Sequence, residues 1–413
     1  MKIIFILSVT CLLLEVCLAR GGRRRGSKSE ANATETQSSR TGRLFSLFNV
    51  VSFQNDMCNT DSAVSGGSTS QRTGTCFTVG ECEARGGRPS GTCASGFGVC
   101  CLFTTTECGT TITNNNTYVR NPGFPDEVDD PSDCTYQVER VEEGICQLRL
   151  DFETFVIAGP PLVPDSDLES EDIHEVNGGE CVTDSFTVTG LKTGFRVPEI
   201  CGDNKGQHMY IDVGNDGKSA ATLAFNFNGN SRTDKEWEIK VAQIPCRSEY
   251  KAPNDCLQFL TGTMGKLKTF NFDDPVTSHL ANQNYNICIR QEAGHCCIKY
   301  SVCEDEELAF SLDTVDEEAK TDIDCTQDYL QIQSKCSGPI CQSFPQVSLN
   351  KFCGLTFSAT ADTNVEENGI VCSCSAPFMV GVKTNEVADD EDPDGTNDVN
   401  SRGACLDYRQ VPC

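Results

Sequence analysis

From about residue 108 onward, apolar residues recur at every second position. Leu148, Leu150 and Phe152 alternate with polar neighbours, as do Leu223, Phe225 and Phe227, then Trp237, Ile239 and Val241. The second half continues with Ile298, Tyr300 and Val302. A period of two is the mark of a half-buried strand. No stretch holds a sustained 3.6-residue stripe, so the pattern predicts an all-β chain of the sandwich type, with cysteines near strand ends.

The strand pattern comes twice. Residues 108–246 and 256–413 each open on a cysteine, Cys108 and Cys256, and reach a second at Cys134 and Cys288. A cysteine then precedes alternating apolar residues, Cys146 in one copy and Cys297 in the other. CVTDSFTV at 181–188 matches CTQDYLQI at 325–332, ICG at 200–202 matches FCG at 352–354, and VAQIPC matches the terminal YRQVPC. By analogy between the copies, the last strand of each is stapled, Cys146 to Cys246 and Cys297 to Cys413. The linker of nine residues, 247–255, reaches about 35 Å at most, so two sandwiches must lie close together.

The first 107 residues differ. Residues 1–19, MKIIFILSVTCLLLEVCLA, read as a secretory leader. No other run is apolar enough to span a membrane, and no hydrophobic C-terminal tail calls for a lipid anchor. Residues 20–57 form a polar segment with seven Lys or Arg against three Asp or Glu. Its Arg23–Arg25 run fits a processing site or a solvated charge run equally well. Residues 58–101 hold six cysteines among Gly, Ser and Thr. A stretch so short needs bridges to hold it, and six cysteines allow fifteen pairings.

Composition places the chain outside the cell. It has 27 cysteines, of which Cys11 and Cys17 lie in the leader, and CxxC occurs nowhere. Disulfides are therefore expected rather than zinc. The remaining cysteines are odd in number, which leaves one thiol or one interchain bridge and hence a disulfide-linked dimer as an option. Asn32 and Asn115 begin glycosylation sequons. A net charge of −27 repels nucleic acid and anionic membranes, and suits solubility, calcium or a basic partner.

The motifs carry two resemblances. Residues 58–101, with a C-x5-C step, a spacer and a closing CC, resemble the clip module of arthropod proteins. That resemblance implies Cys58–Cys100, Cys76–Cys93 and Cys82–Cys101; the spacer from Cys82 to Cys93 is shorter than the family's. Both repeats resemble CUB domains: Cys108-Gly109, NPGFP at 121–125 and Cys134 match that family's opening, and C-x2-D followed by CG matches its second bridge. The fold implied is a jelly-roll β-sandwich, present twice in tandem, with Cys108–Cys134, Cys181–Cys201, Cys256–Cys288 and Cys325–Cys353. LANQNYNICIR with CCIKYSVC after it, together with the clip-like start, is similar to a group of secreted arthropod CUB proteins. Both copies depart from the family in extra cysteines and insertions, notably residues 156–180 of the first.

Many CUB domains bind calcium, and the resemblance places ligands on Asp313, Asp328 and Asn385 in the second copy. In the first copy the same positions are Ala158, Asp184 and Asn226, so no calcium is expected there. The plain alternative for Asp184 and Asp328 is structural, a carboxylate capping backbone N–H groups. The acidic run at 388–395 lacks the order of an EF-hand loop and reads as solvated.

No catalytic residues are expected. No G-D-S-G-G segment, H-E-x-x-H or glycine-rich phosphate loop occurs, and all four histidines fall inside the repeats. His295 beside Cys296 mimics a Cys–His pair, but Cys296 sits among bridging cysteines. Three readings follow: a secreted, non-enzymatic recognition or adhesion protein binding an extracellular protein or glycan; a non-catalytic regulator of a clip- and CUB-bearing protease cascade; or a structural secretory product of cuticle, cement or venom.

Overall fold

The computed structural model describes residues 52–413, apart from 62, 66–67, 130, 161, 165–172, 176–178, 215–218, 229–233, 275–276, 313–318, 334–348, 360–366 and 386–400. The described chain is almost entirely β, as the period-two pattern requires. One short helix, Val79–Ala84, is capped by the Thr78 hydroxyl accepting from the Glu81 N–H. It is too short to show a helical stripe in sequence.

Strands Met57–Asn59, Thr73–Phe77 and Gly98–Thr105, with Arg88–Cys93 alongside, make a small sheet. Three bridges staple it: Cys58–Cys100, Cys76–Cys93 and Cys82–Cys101. This knot does not stand apart. Gly98–Thr105 pairs in parallel with Thr117–Arg120, so the same sheet continues through Glu236–Pro245, Ile145–Val156 and His208–Asp212. Glu238, buried at this junction, is shared by Arg72 of the knot and by Arg120, whose Nε lies at 2.7 Å.

Facing that sheet is a second, ordered Asp184–Thr189, Ser219–Phe227, Cys134–Glu139, Thr111–Ile112. The alternating residues meet between the two. Leu150, Phe152, Trp237, Ile239 and Val241 are buried against Tyr136, Phe186, Leu223 and Phe225. Trp237 stacks on Phe225 at 4.4 Å, and its indole N–H donates to the Tyr136 hydroxyl at 3.3 Å. Stacking and area together make this pair the centre of the first sandwich.

The second sandwich repeats the plan. One sheet runs Gln258–Leu260, Asn284–Ile289, Phe378–Lys383, Tyr329–Ile332, Lys351–Gly354, Ala319–Thr321. The other runs Met264–Lys268, Gly403–Pro412, His295–Val302, Val371–Ser373. Ile287, Val380 and Leu330 are buried together with Ile298, Tyr300 and Leu406.

The bridges Cys108–Cys134, Cys146–Cys246, Cys181–Cys201, Cys256–Cys288 and Cys325–Cys353 fasten the strand ends. The expected Cys297–Cys413 is not formed. Cys413 joins Cys296, and Cys297 joins Cys374. The reason is register. Cys146 is the bulged residue between the pairs Ile145↔Pro245 and Gln147↔Ile244. Cys296 is the bulged residue between His295↔Pro412 and Cys297↔Val411. Cys296 is therefore the counterpart of Cys146, and Cys297 that of Gln147, one step along the strand. A one-residue step turns the side chain to the other face. Cys303–Cys405 adds a further staple. Every cysteine among the described residues is disulfide-bonded; Cys336 and Cys341 lie outside them, as does Asn32.

Candidate functional site

The aspartate of C-x2-D starts the same strand in each sandwich. Asp184 opens Asp184–Thr189, and Asp328 immediately precedes Tyr329–Ile332. Both are buried, at 1% exposure, and a buried carboxylate needs a countercharge or hydrogen bonds.

In the first sandwich the countercharge is Lys235. Its ammonium lies 3.7 Å from Asp184 Oδ2, donates to the Asp129 carbonyl at 3.1 Å and sits over the Phe227 ring. The Ala158 N–H donates to the same Oδ2 at 2.8 Å. Burial pushes the Asp184 carboxyl up, against the opposite pull of the Ala158 N–H and Lys235. Asn226 donates its amide to the Ser185 hydroxyl at 3.3 Å. The three positions that the resemblance aligned with a calcium set thus hold a backbone N–H, an ion-paired carboxylate and a donating amide. They do not fit a calcium ion.

In the second sandwich the counterpart is His279. Its Nε2 lies 3.2 Å from Asp328 Oδ2, and the Asn385 N–H donates to Oδ1 at 2.8 Å. Its Nδ1 lies 2.9 Å from both the Ser401 carbonyl and the Ser401 hydroxyl. A carboxylate only accepts, so Nε2 carries a proton, while Nδ1 can donate to the Ser401 carbonyl or accept from the Ser401 hydroxyl. The Asn385 side-chain amide turns to Gln327. Asp328 and Asn385 are therefore brought together, with both Asp328 oxygens committed, while Asp313 lies outside the described residues. Among the described residues no group of three His, Cys, Asp or Glu is gathered to hold a metal.

Ser401, His279 and Asp328 form a Ser–His–Asp chain, but each is at most 2% exposed, so no substrate reaches it. It fastens the start of the last strand. The Cys296 thiol is consumed in its bridge to Cys413, and the half-buried His295 ring faces the Ala293 carbonyl at 3.2 Å.

The sandwiches meet along a dense polar seam. The Tyr210 N–H donates to the Leu257 carbonyl at 2.6 Å, and the Phe259 N–H to His208 Nε2 at 3.0 Å. Gln147 donates to the Ala252 carbonyl and accepts from its N–H, at 3.1 and 2.9 Å. The Asn271 N–H donates to Asn204 Oδ1 at 2.8 Å, and the Asp203 N–H to Asn271 Oδ1 at 3.2 Å. Gly202, at φ +78°, leaves the room for Asn271 that a Cβ would fill. Burial, with Arg149 adding to it, pushes His208 down to about 4. The ring is neutral and accepts the Phe259 N–H.

Asn115 is also committed. Its Nδ2 donates to the Gln243 carbonyl at 3.2 Å, and its Oδ1 accepts from the N–H of Gln243 at 2.7 Å and of Asn116 at 2.8 Å. These bonds make Asn115 a clasp between strands. Lys235, His279 and His208 carried no sequence signal as site residues. Each acts through a partner far away along the chain.

Residues 253–411 match the family model of the animal CUB domain, so the second sandwich is a CUB domain. No curated protein matches the chain. Among solved structures, the chain is similar to the CUB1-EGF-CUB2 domains of rat MASP-1, at 12% identity and a TM-score of 0.22, covering 73% of this chain and 99% of that one. It is likewise similar to the CUB1-EGF-CUB2 domain of human MASP-1/3, at 15% and 0.22, covering 72% and 100%. The full extracellular region of zebrafish Gpr126/Adgrg6 matches at 10% and 0.23, covering 73% and 36%. Likeness at this level carries no argument about function.

Proposed function

We propose that the chain is a secreted, non-catalytic recognition protein that binds an extracellular protein or glycan. In this reading residues 58–101 are a clip-like module of arthropod type and residues 108–246 a second CUB domain. CUB domains commonly bind proteins, and the abundance of disulfides suits an extracellular life. The observation that carries the reading is the continuous build. The knot shares a sheet with the first sandwich, and the first sandwich is hydrogen-bonded to the second along the seam. The two sandwiches are thereby held in one arrangement, which lowers the entropy lost on binding. Lys235 supplies the countercharge of Asp184, so in this reading recognition through the first sandwich runs without calcium.

The test is capture of a partner from native extracellular fluid on immobilised full-length chain, with calcium and with EDTA, followed by titration of the purified partner. Saturable binding of equal strength in both conditions is expected. Absence of any saturable partner overturns the recognition reading, and binding lost in EDTA overturns the calcium-free part of it.

A further inference from the structure

The strand Met264–Lys268 is an open edge. It stands at the end of its sheet and pairs on one side only, with Gly403–Pro412. The flanking bonds set which backbone groups that pairing uses. The Gln410 N–H donates to the Thr263 carbonyl at 2.7 Å, and the Thr269 N–H to the Ala404 carbonyl at 2.9 Å. Bonded residues alternate along an antiparallel ladder, so Thr263, Gly265, Leu267 and Thr269 turn inward. The N–H and C=O groups of Met264, Lys266 and Lys268 therefore point away from the sheet, and none of these has a hydrogen-bond partner among the described residues.

A cavity of about 270 Å³ runs against this edge, with Lys205 and Gln207 of the first sandwich on its far wall. Leu267 lines it although its side chain is packed in the core at 3% exposure, so what Leu267 offers the cavity is backbone. A strand added at the usual ~4.8 Å from the edge would run here. Lysines on an edge commonly guard it. Here they are drawn off. The Lys266 ammonium bonds to Asp305 at 2.7 Å, and that of Lys268 to Asp273 and, at 3.0 Å, to Glu306. Asp305 and Glu306 follow His295–Val302, the strand beyond Gly403–Pro412 as seen from the edge. Both lysines thus lean back over the sheet and leave the backbone open.

A row of donors and acceptors at alternate residues is matched by another extended chain, which carries the same groups at the same spacing. A second copy of this edge is a poor match, because an antiparallel pair centred on Lys266 sets lysine opposite lysine. The lining names a better one. Lys205, Lys266 and Lys268 outnumber Asp273 there, in a chain of net charge −27. Lys205 makes no ion pair among the described residues. Opposite charges across neighbouring strands are favourable, so the incoming strand is acidic.

We propose that Met264–Lys268 captures an extended acidic segment of a protein partner as an added strand, with backbone bonds at Lys266 and Lys268 giving the affinity and the three lysines favouring carboxylates. The proposal rests on the recognition reading above and names the shape and charge its partner brings.

The test is calorimetric titration of the full secreted chain with the capped peptide Thr-Glu-Val-Glu-Val-Thr, with its lysine-for-glutamate counterpart, and with two N-methylated forms that each block one alternate set of amides. Saturable binding of the glutamate peptide is expected. Methylating the set that faces the edge should cost at least ~tenfold, and methylating the other set less than ~threefold. The lysine peptide should bind at least ~threefold more weakly. Lys266→Pro removes an outward N–H at a place where an edge strand takes proline, and should lose at least ~tenfold of the binding with a melting temperature close to the parent's. Lys266→Ala should stay within ~threefold of the parent. No peptide binding, equal cost from the two methylated sets, a lysine peptide bound as tightly, or undiminished binding by Lys266→Pro each overturns the assignment; the methylated peptides decide it if that variant fails to fold. A partner retained from extracellular fluid as strongly by Lys266→Pro as by the parent overturns the edge assignment alone and leaves the recognition reading standing.

Discussion

Acid should loosen the seam through His208. Its ring accepts the Phe259 N–H while neutral, and a proton on Nε2 removes that bond and puts a charge in a site 8% exposed. Its neighbours are Arg149, which opposes the charge, and Asp151, which favours it less strongly. In the closed state the ring titrates near 4; once the seam opens it returns to about 6.5. The opened state therefore binds protons more readily between those values. Seam stability is fully present above about pH 6.5 and falls as pH drops toward 4. At ~1.4 kcal/mol per pH unit the whole loss is about 3 kcal/mol, of which the step from pH 7 to pH 4.5 takes about 2.4. Native-state hydrogen exchange at Phe259 and Tyr210, corrected for intrinsic pH effects, reports this opening directly. Wild type should lose about 50-fold more protection over that step than His208→Gln, whose amide can both accept the Phe259 N–H and donate to its carbonyl without titrating. Comparison with the variant cancels the other groups of that range, including Asp184, Asp203 and Glu153, which burial raises and which act in the opposite sense. Equal losses in the two proteins would refute the assignment of the acid response to His208.

Lys235→Met should destabilise the first sandwich by about 3–5 kcal/mol by leaving Asp184 a buried unpaired charge, and adding Asp184→Asn should recover most of this in denaturant titrations. Asn115→Ala removes both clasps on the Gln243 backbone and should cost about 2–3 kcal/mol. Cys413→Ser opens a loop of about 17 residues when Cys303–Cys405 is kept, which corresponds to about 3 kcal/mol; a non-reduced digest should link Cys413 to Cys296 and Cys297 to Cys374.

Alternation in short windows determined the strands. Leu223 and Phe225, and Trp237, Ile239 and Val241, lie buried on the inner faces, because side-chain direction in a strand is a local property. Repetition of the cysteine and C-x2-D phrases determined that the plan occurs twice. Local pattern could not choose between Cys296 and Cys297, since a bulge in the strand pairing decides which of two adjacent thiols faces the chain end. Nor could it find the partners of the buried aspartates: Lys235 and Asp184, or His279, Asp328 and Ser401, are separated by long stretches of chain and meet only when the sheets pack. The seam is of the same kind. A nine-residue linker required the sandwiches to be near, but only their packing set His208 against Phe259 and brought Glu199 beside Gln283. Sequence determines what each segment offers, whereas burial and cross-chain contact decide which offers are taken up, because the cost of an unpaired polar group exists only once water has been excluded.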